Sequence, residues 1–311
     1  MEKYFEFEKD IKKIDEQIDY LSKKQNNEKK IAELEENKSK LFKKIYSNLN
    51  AWEKVQVSRH NERPHTLHYI NQIFKDIIFL HGDKKYADDS AICSCIASIE
   101  GISVMIIGTE KGNTMDTRIK HNFGMAKPEG YRKAKRMLSI AEKFSLPVIT
   151  FVDTAGAFPG KDAEERGQSE SIASSIMAFL KVRVPTISLI IGEGGSGGAI
   201  GIAACDKVLM LEHAIYSVIS PEGCASILWR STDYTKEAAK TLKLTSYDCK
   251  SFEIIDEIIP EVSGGAHRFP NRQSELVKNS LIDHLNFLKK IPVTKLVERR
   301  KNKYLDITTK I

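Results

Sequence analysis

Residues 185–206 constrain this chain more than any other segment, because they join a short apolar run to a glycine-rich turn and an uncharged helix. Residues 186–191 are rich in β-branched side chains and predict a strand buried on both faces. Five of the seven residues 192–198 are glycine, so backbone N–H groups there can approach a ligand closely. Residues 199–205 predict a buried apolar helix, whose first N–H groups have no partner within the helix. We therefore expect this segment to bind a negatively charged oxygen.

The spacing of the glycines also fits a dinucleotide-binding fingerprint. Gly192, Gly194 and Gly197 follow the G-x-G-x-x-G pattern, and Glu212 lies about twenty residues further on, where a ribose-binding acid belongs. Two features oppose this interpretation. The predicted helix is too short for a Rossmann crossover, and it has no polar face to present to solvent.

The same turn fits two further motifs. Gly194-x-Ser196-x-Gly198 matches the nucleophile elbow of hydrolases, with His213 or His267 available downstream as the base. Alternatively, the backbone N–H groups of residues 197 and 198 form an oxyanion hole that needs no side-chain chemistry. A turn in which glycine serves only close packing of strand and helix stays open as well.

Length and composition exclude several classes of protein. The chain has 311 residues, 41% of them hydrophobic, and no run approaches the roughly eighteen apolar residues of a membrane span. The first ten residues contain no apolar signal region, and five cysteines in such a chain indicate a reduced, cytoplasmic protein. We predict neither a membrane nor a nucleic-acid partner.

Metal and nucleotide motifs are also absent from the sequence. Cys93 and Cys95 alternate along a predicted strand, so they are expected to pack in the core and not to bind zinc. Gly156 and Gly160 resemble a P-loop, but the spacing is one residue short and Asp162 replaces the required hydroxyl residue. We predict no metal and no ATP bound by a P-loop.

Charge is unevenly distributed along the chain. Residues 109–143 hold nine Lys or Arg against four Asp or Glu, which indicates a solvated basic helix face or a surface for an acidic partner or phosphorylated cofactor. Residues 1–50 carry 12 Lys against 11 Asp or Glu and show an apolar helical stripe. They predict a helical hairpin that packs on the main body or on another subunit.

Between these regions, strands and helices alternate. The sequence predicts a helix over 66–81, a hairpin of strands over 91–99 and 102–108, and a polar loop over 109–127. A helix over 128–144, a strand over 148–153, a glycine loop over 154–160 and a helix over 163–180 follow. Two strands over 207–211 and 215–219, several helices and a last helix over 274–288 complete the chain. This alternation is that of an α/β protein with a parallel sheet.

Several long motifs resemble one known family. In order along the chain they are Asn122-Phe-Gly-Met125, Pro128-Glu-Gly-Tyr-Arg-Lys-Ala134, Phe158-Pro-Gly160, Ala163-Glu-Glu-Arg-Gly-Gln-Ser-Glu170, Gly192-Glu-Gly-Gly-Ser-Gly-Gly-Ala199, Tyr216-Ser-Val-Ile-Ser-Pro-Glu-Gly-Cys-Ala-Ser-Ile-Leu-Trp229 and Gly264-Gly-Ala-His-Arg268. The turn resembles that of the crotonase superfamily, and the whole set resembles the alpha-subunit family of the bacterial acetyl-CoA carboxylase carboxyltransferase. The sequence departs from the family at Ala155, where a proline is usual, and matches it only partly over 111–120.

The resemblance implies a fold, an activity and a site. The fold is a crotonase-type (ClpP/crotonase) α/β spiral of ββα units: a helical hairpin extension over 1–50, a carboxyltransferase domain over 51–290 and a basic C-terminal tail over 291–311. The activity is transfer of a carboxyl group from carboxybiotin to acetyl-CoA, giving malonyl-CoA for fatty acid synthesis. Gly197 and Gly198 supply the oxyanion hole by their backbone, and the residues expected to line the rest of the pocket are Gly156, Ala157, Gly194 and Gly195.

The resemblance also implies partners. In the family, the biotin is carried on a separate biotin carboxyl carrier protein, and ATP is used at the step of a separate biotin carboxylase. A zinc-ribbon beta subunit shares the active site, with an expected α2β2 assembly. A serine hydrolase that uses Ser196 and a non-catalytic scaffold subunit stay open as alternatives.

Overall fold

The computed structural model describes residues 4–24 and 27–307. Residues 1–3, 25–26 and 308–311, which belong to the predicted extension and tail, lie outside the described residues. The N-terminal region forms the predicted helices, α1 (Lys9–Ser22) and α2 (Glu28–Tyr46), which pack on each other. The buried carboxylate of Glu8 fastens them to the main body, since it accepts hydrogen bonds from Tyr46 at 2.9 Å and Arg268 at 2.7 Å.

Within the described ranges, eight strands form one mixed sheet. They are β1 (Lys75–Phe79), β2 (Ile92–Ile99), β3 (Ile102–Thr109), β4 (Val148–Thr154), β5 (Thr186–Gly195), β6 (Lys207–Leu211), β7 (Ile215–Ser217) and β8 (Glu257–Ile259). The order is β1-β2-β3-β4-β5-β6-β8, with β7 paired to the end of β5. The pairs from β1 to β3 are antiparallel and the others are parallel. The buried strands β4 and β5 therefore end side by side at the same edge of the sheet.

Helices connect and cover these strands. They are α3 (Ala51–Ser58), α4 (Thr66–Ile73), α5 (Met115–Lys120), α6 (Pro128–Lys143), α7 (Lys161–Glu165), α8 (Gln168–Lys181), α9 (Ser196–Ala203), α10 (Pro221–Trp229), α11 (Thr235–Thr241), α12 (Ser246–Ser251), α13 (Pro270–Leu288) and α14 (Val293–Asp306). The β4–α7/α8–β5 and β5–α9–β6 crossovers produce the parallel part of the sheet, as the alternation predicts.

Several predicted elements differ from the structure, including the last helix, which begins at Pro270, and the strand over 215–219, which ends at Ser217. The helix over 66–81 ends at Ile73, because the following residues pair as β1 with the edge of β2. The helix over 163–180 is broken into α7 and α8 by Gly167, whose φ of +79° interrupts helical geometry. The polar loop over 109–127 contains α5. The strand predicted over 186–191 continues to Gly195, because its last residues pair with β4 and β7.

The C-terminal segment predicted as a basic tail contains α14. Arg300 on this helix is buried and donates to Asp206 at 2.6 and 2.8 Å. It also donates to the carbonyl oxygens of Phe179, Val182 and Val184, where α8 ends before β5. A buried guanidinium with this many partners anchors the helix to the sheet. Although the segment is basic, Arg300 is therefore a buried structural residue and not a solvated one.

Candidate functional site

The two glycine turns at the ends of β4 and β5 are in direct contact. A Cβ atom built on Gly198 would lie 2.5 Å from the carbonyl carbon of Gly156 and 2.6 Å from the nitrogen of Ala157. A Cβ on Gly195 would lie 2.1 Å from the carbonyl oxygen of Ala155. Backbone atoms cannot move aside as flexible side chains can, so only glycine fits at these positions. The structure therefore brings together the two groups of residues predicted to share a pocket.

The predicted oxyanion donors, Gly197 and Gly198, lie in the first turn of α9. The first four N–H groups of a helix have no acceptor within it and carry the positive end of its dipole. Gly195, the residue before the helix, has no side chain that could cap them. Gly198 is buried and Gly197 is partly exposed, so the turn is open to a ligand on the side of Gly197. Their role as donors stays a prediction.

Gly194 and Gly195 have a different position from the one expected. Both belong to β5, where Gly194 pairs with Thr154 of β4 and with Tyr216 of β7. A Cβ on Gly194 would lie 2.8 Å from the ring of Tyr216. The lack of a side chain here is explained by packing between strands, without any need for a ligand.

The dinucleotide and hydrolase motifs find no support in the geometry. The carboxylate of Glu212 accepts from the Tyr247 hydroxyl at 2.9 Å and from the Glu261 N–H at 3.1 Å, so it serves the local fold. His267 stacks on His60 with ring centroids 4.1 Å apart, and neither of its ring nitrogens has a hydrogen-bond partner among the described residues. No serine–histidine pair is formed there.

The second histidine proposed as a base for Ser196 is also placed in the core. His213 is buried against Tyr46, with ring centroids 5.4 Å apart, and its backbone N–H donates to Glu261. Ser196 itself is exposed and has a φ of +50°, which is uncommon for a residue other than glycine. This conformation turns the chain sharply from β5 into α9.

A cluster of buried charges lies immediately before both turns. Asp153, at the end of β4, accepts hydrogen bonds from His65 Nδ1 at 2.7 Å and from the backbone N–H of Glu193 at 3.0 Å. Lys111 Nζ lies 2.8 Å from Asp153 and 2.6 Å from Glu193. Arg59 Nε donates to the other oxygen of Glu193 at 2.6 Å. These contacts fix the positions of the two strand ends relative to each other.

The electrostatics of this cluster determine its protonation. Burial raises the pKa of Asp153, but the charge of Lys111 and the hydrogen bond from His65 lower it below its ordinary value of 3.8. Burial likewise raises the pKa of Glu193, and Lys111 with Arg59 hold it below 4.5. Burial lowers the pKa of Lys111, which the two carboxylates raise above 10.5. Both carboxylates are ionised at neutral pH and are too weakly basic for proton abstraction.

Sequence reasoning identified only part of this cluster. Asp153 and Glu193 can be singled out in the sequence, because Asp153 directly precedes the first glycine turn and Glu193 lies within the second. The cluster also explains why residue 192 is glycine, because a Cβ at Gly192 would lie 2.4 Å from Asp153 Oδ1. Arg59 and His65 were missed, because nothing in the irregular segment between α3 and α4 signals their long-range partners.

A cavity of about 250 Å³ opens beside the cluster. Its lining residues are Ser58, Arg59, His60, Asn61, His65, Lys111, Arg118, Phe123, Ala155 and Glu193. Phe123 lies between Asn122 and Gly124 in a run of three left-handed residues, with φ of 47°, 55° and 75°. Such a run of positive φ is costly for Asn and Phe and is typical of functional sites.

The described residues contain no group of three or more His, Cys, Asp or Glu side chains placed to hold a metal ion. Over the same ranges, every helix is too short or too polar to cross a bilayer.

Comparison with known proteins identifies the family. The family model described as acetyl co-enzyme A carboxylase carboxyltransferase-like matches residues 4–308. The chain belongs to this family. It is 51% identical over 307 residues to the acetyl-coenzyme A carboxylase carboxyl transferase subunit alpha of Paramagnetospirillum magneticum, covering 97% of both chains. It is 50% identical over 311 residues to the subunit of the same name from Zymomonas mobilis, covering 99% of both chains.

Solved structures support the same fold. The chain superposes on transcarboxylase 12S with a TM-score of 0.60 at 17% identity, covering 76% of this chain and 44% of that one. The beta subunit of Pseudomonas aeruginosa geranyl-CoA carboxylase gives a TM-score of 0.57 at 16% identity, with coverages of 79% and 46%. The chain thus spans less than half the length of these solved chains. The crotonase-type α/β fold and the transferase class expected from the sequence are confirmed, and the hydrolase and scaffold alternatives are not favoured.

Proposed function

We propose that this chain is the alpha-type carboxyltransferase subunit that moves a carboxyl group from carboxybiotin, held on a carrier protein, to acetyl-CoA. The observation that carries the proposal is the contact between the two glycine turns. At this contact, the first turn of α9 lies against the loop that follows β4. Near full-length similarity to subunits named for this activity supports it.

The reaction needs backbone donors more than side-chain bases. A carbon–nitrogen bond of the carboxylated ureido group breaks, a carbon–carbon bond forms to the acetyl group, and the acetyl proton passes to the ureido nitrogen. Negative charge develops on the thioester oxygen and on the ureido oxygen during these changes. Preorganised N–H groups of Gly197 and Gly198 stabilise one of these oxygens, with Gly156 and Ala157 lining the same pocket. The low basicity of Asp153 and Glu193 agrees with this division of roles.

The second oxyanion requires donors from another polypeptide in this proposal. The partner is a zinc-ribbon beta subunit, and the expected assembly is α2β2 with a biotin carboxyl carrier protein and a biotin carboxylase acting on the same biotin. The helical extension over 1–50, the domain over 51–290 and the tail over 291–311 are parts of this one subunit. ATP is consumed at the biotin carboxylase step.

The test is carboxyl transfer between malonyl-CoA and free biotin, without ATP. The purified chain alone is expected to show negligible transfer, and the chain mixed with its beta-type subunit is expected to form a stable hetero-oligomer and become active. Full activity of the chain alone, with mass spectrometry showing no partner, contradicts the shared site. An inactive hetero-oligomer contradicts the proposed reaction.

A further inference from the structure

The C-terminal helix α14 brings several cations into a second cavity, which has a volume of about 160 Å³. The segment 289–303 holds seven Lys or Arg and one Glu. The residues that line the cavity are Asp206, Lys207, Asp256, Leu288, Ile291, Leu296, Arg299, Arg300 and Lys303. Because four of them are cationic and two are anionic, the lining has an excess of two positive charges.

This cavity is separate from the glycine turns. Lys207 is the first residue of β6 and pairs with Ile187, near the beginning of β5. The second glycine turn lies at the other end of β5, roughly 25 Å away along the strand. Asp256 directly precedes β8. The cavity therefore lies at the edge of the sheet opposite to the one where β4 and β5 end, and carboxyl transfer does not account for its charges.

Two of the four cations share a single carboxylate. Lys207 Nζ lies 2.9 Å from Asp256 Oδ1, and Lys303 Nζ forms an ion pair with Asp256 Oδ2. Burial raises the pKa of Asp256, but the charge of Lys303 and the hydrogen bonds to the carboxylate lower it below its ordinary value of 3.8. Asp256 thus carries one negative charge at neutral pH, and one of the two ammonium charges remains uncompensated.

The two arginines of the cavity differ in their partners. Arg300 is buried and is neutralised by Asp206. Arg299 is exposed and forms no ion pair within the described ranges. Its guanidinium carbon lies 5.8 Å from the centre of the Phe287 ring, and Lys207 Nζ lies at the same distance from that ring. Arg299 therefore supplies the second uncompensated positive charge.

The excess charge and the size of the cavity limit the class of ligand. Positive charges that converge in a cavity repel one another unless an anion lies between them. A phosphate group carries a charge of about −1.5 to −2 at neutral pH, which matches the excess. The planar guanidinium group suits phosphate oxygens, and ammonium groups add point charges. Pockets for drug-sized molecules have volumes of about 300–1,000 Å³, so this smaller cavity indicates a small ligand.

We propose that this cavity binds the phosphate group of a small ligand, either inorganic phosphate or a phosphate ester. Arg299 is the main donor, and Lys207 and Lys303 provide the remaining positive charge. The site is independent of the proposed carboxyl transfer, because it uses none of the residues around the glycine turns. A bound anion connects α14 to the beginning of β6, so binding stabilises the packing of the C-terminal helix on the sheet.

The test is isothermal titration calorimetry of the purified chain with inorganic phosphate and with phenyl phosphate, in a phosphate-free buffer at constant ionic strength. Arg299→Gln removes the unpaired guanidinium from an exposed position, so the fold should be retained. Lys301→Gln is the matched control, because it removes the same charge from an exposed position of the same helix and does not line the cavity.

We expect the wild type to bind one anion per chain and to gain melting temperature with it. Arg299→Gln should weaken binding about tenfold or more, the usual effect of one lost hydrogen bond to a charged group, whereas Lys301→Gln should stay within twofold. A wild type that binds neither probe overturns the proposal. An equal loss in both variants also overturns it, since it would show only a diffuse attraction to a basic surface.

The order of the two affinities identifies the source of the phosphate group. Tighter binding of phenyl phosphate supports a phosphate ester as the ligand, and equal or weaker binding of phenyl phosphate supports inorganic phosphate.

Asp256→Asn provides a check by the opposite change of charge. It removes the carboxylate that competes with the ligand for Lys207 and Lys303, while asparagine can still accept the hydrogen bond from the Val208 N–H. The affinity for phosphate should rise about threefold or more. An unchanged or lower affinity in a variant with the wild-type circular dichroism spectrum overturns the proposal. Because Arg299 is exposed, the comparison of Arg299→Gln with Lys301→Gln decides the matter even where Asp256→Asn fails to fold.

Discussion

The two strand–glycine turns of this protein look alike in sequence and differ in packing. The turn after β4 leaves room for a side chain at its first glycine: a Cβ on Gly156 would have no heavy atom of the described structure within 4 Å. The turn after β5 is packed against the first one, and Cβ atoms on Gly195 and Gly198 would collide with its backbone. Gly156 in the first turn therefore serves the conformation of a loop, whereas Gly195 and Gly198 in the second permit contact between two backbones.

Gly197 is the exception within the second turn. A Cβ there would lie 3.7 Å from Ile172, which is an ordinary contact, and its φ is not in the left-handed region. The two neighbouring glycines thus differ: packing requires glycine at position 198, whereas position 197 has room for a side chain. Identical substitutions at the two positions can separate the packing role from the role as a backbone donor.

The largest effect is expected for Gly198→Ala. The added methyl group would lie 2.5 Å from the Gly156 carbonyl carbon, so one of the two turns has to move. We predict a loss of carboxyl transfer of about a hundredfold or more, comparable to the loss of an oxyanion donor. Transfer is measured in the assembled enzyme, and size-exclusion chromatography checks that assembly persists. Wild-type turnover in an assembled Gly198→Ala enzyme would show that the contact between the turns is unimportant for activity.

The next effect concerns the charges that hold the two turns together. Asp153→Asn leaves Lys111 with one carboxylate and removes the anion that His65 binds. We predict a loss of about 3 kcal/mol in the free energy of unfolding at pH 7, the usual cost of breaking a buried ion pair. Urea unfolding measures it.

The pH dependence of the same variant provides a check. The folded-state pKa values of Asp153 and Glu193 lie below their ordinary values of 3.8 and 4.5. Their stabilisation is therefore present above those values and is lost as pH falls through the folded-state pKa values. Asp153→Asn should show a shallower decrease of stability below about pH 4 than the wild type. Parallel curves for the two proteins would contradict this role of Asp153.

The smallest effects are expected at the open side of the second turn. Gly197→Ala keeps the backbone N–H and finds space for its methyl group, so transfer activity should fall less than about threefold. Ser196→Ala should also retain most of the activity, since the proposed reaction uses no serine nucleophile. A loss of about a thousandfold in Ser196→Ala would favour the hydrolase-type nucleophile. A loss at Gly197 equal to that at Gly198 would remove the distinction between the two positions.

Much of this architecture follows from local patterns in the sequence. The β2–β3 hairpin, the helix beginning at Pro128 and the strand–turn–helix around the glycines are predicted by alternation, proline position and apolar runs. The sequence-based predictions fail where pairing with a neighbouring strand determines the secondary structure. β1 is a strand because the edge of β2 is available to pair with it, and β5 continues into the glycines because β4 and β7 pair with them on either side.

The sequence by itself determined that two glycine turns follow two buried strands and that an apolar helix begins at the second. Only the tertiary structure decided which glycines touch another backbone and which polar side chains meet beside them. Arg59 and Glu193 are separated by 134 positions, and His65 and Asp153 by 88. A parallel sheet brings the ends of β4 and β5 together predictably, because every crossover returns to the same edge. The loops that complete the site have no periodic pattern, so their contacts are set only when the whole chain packs.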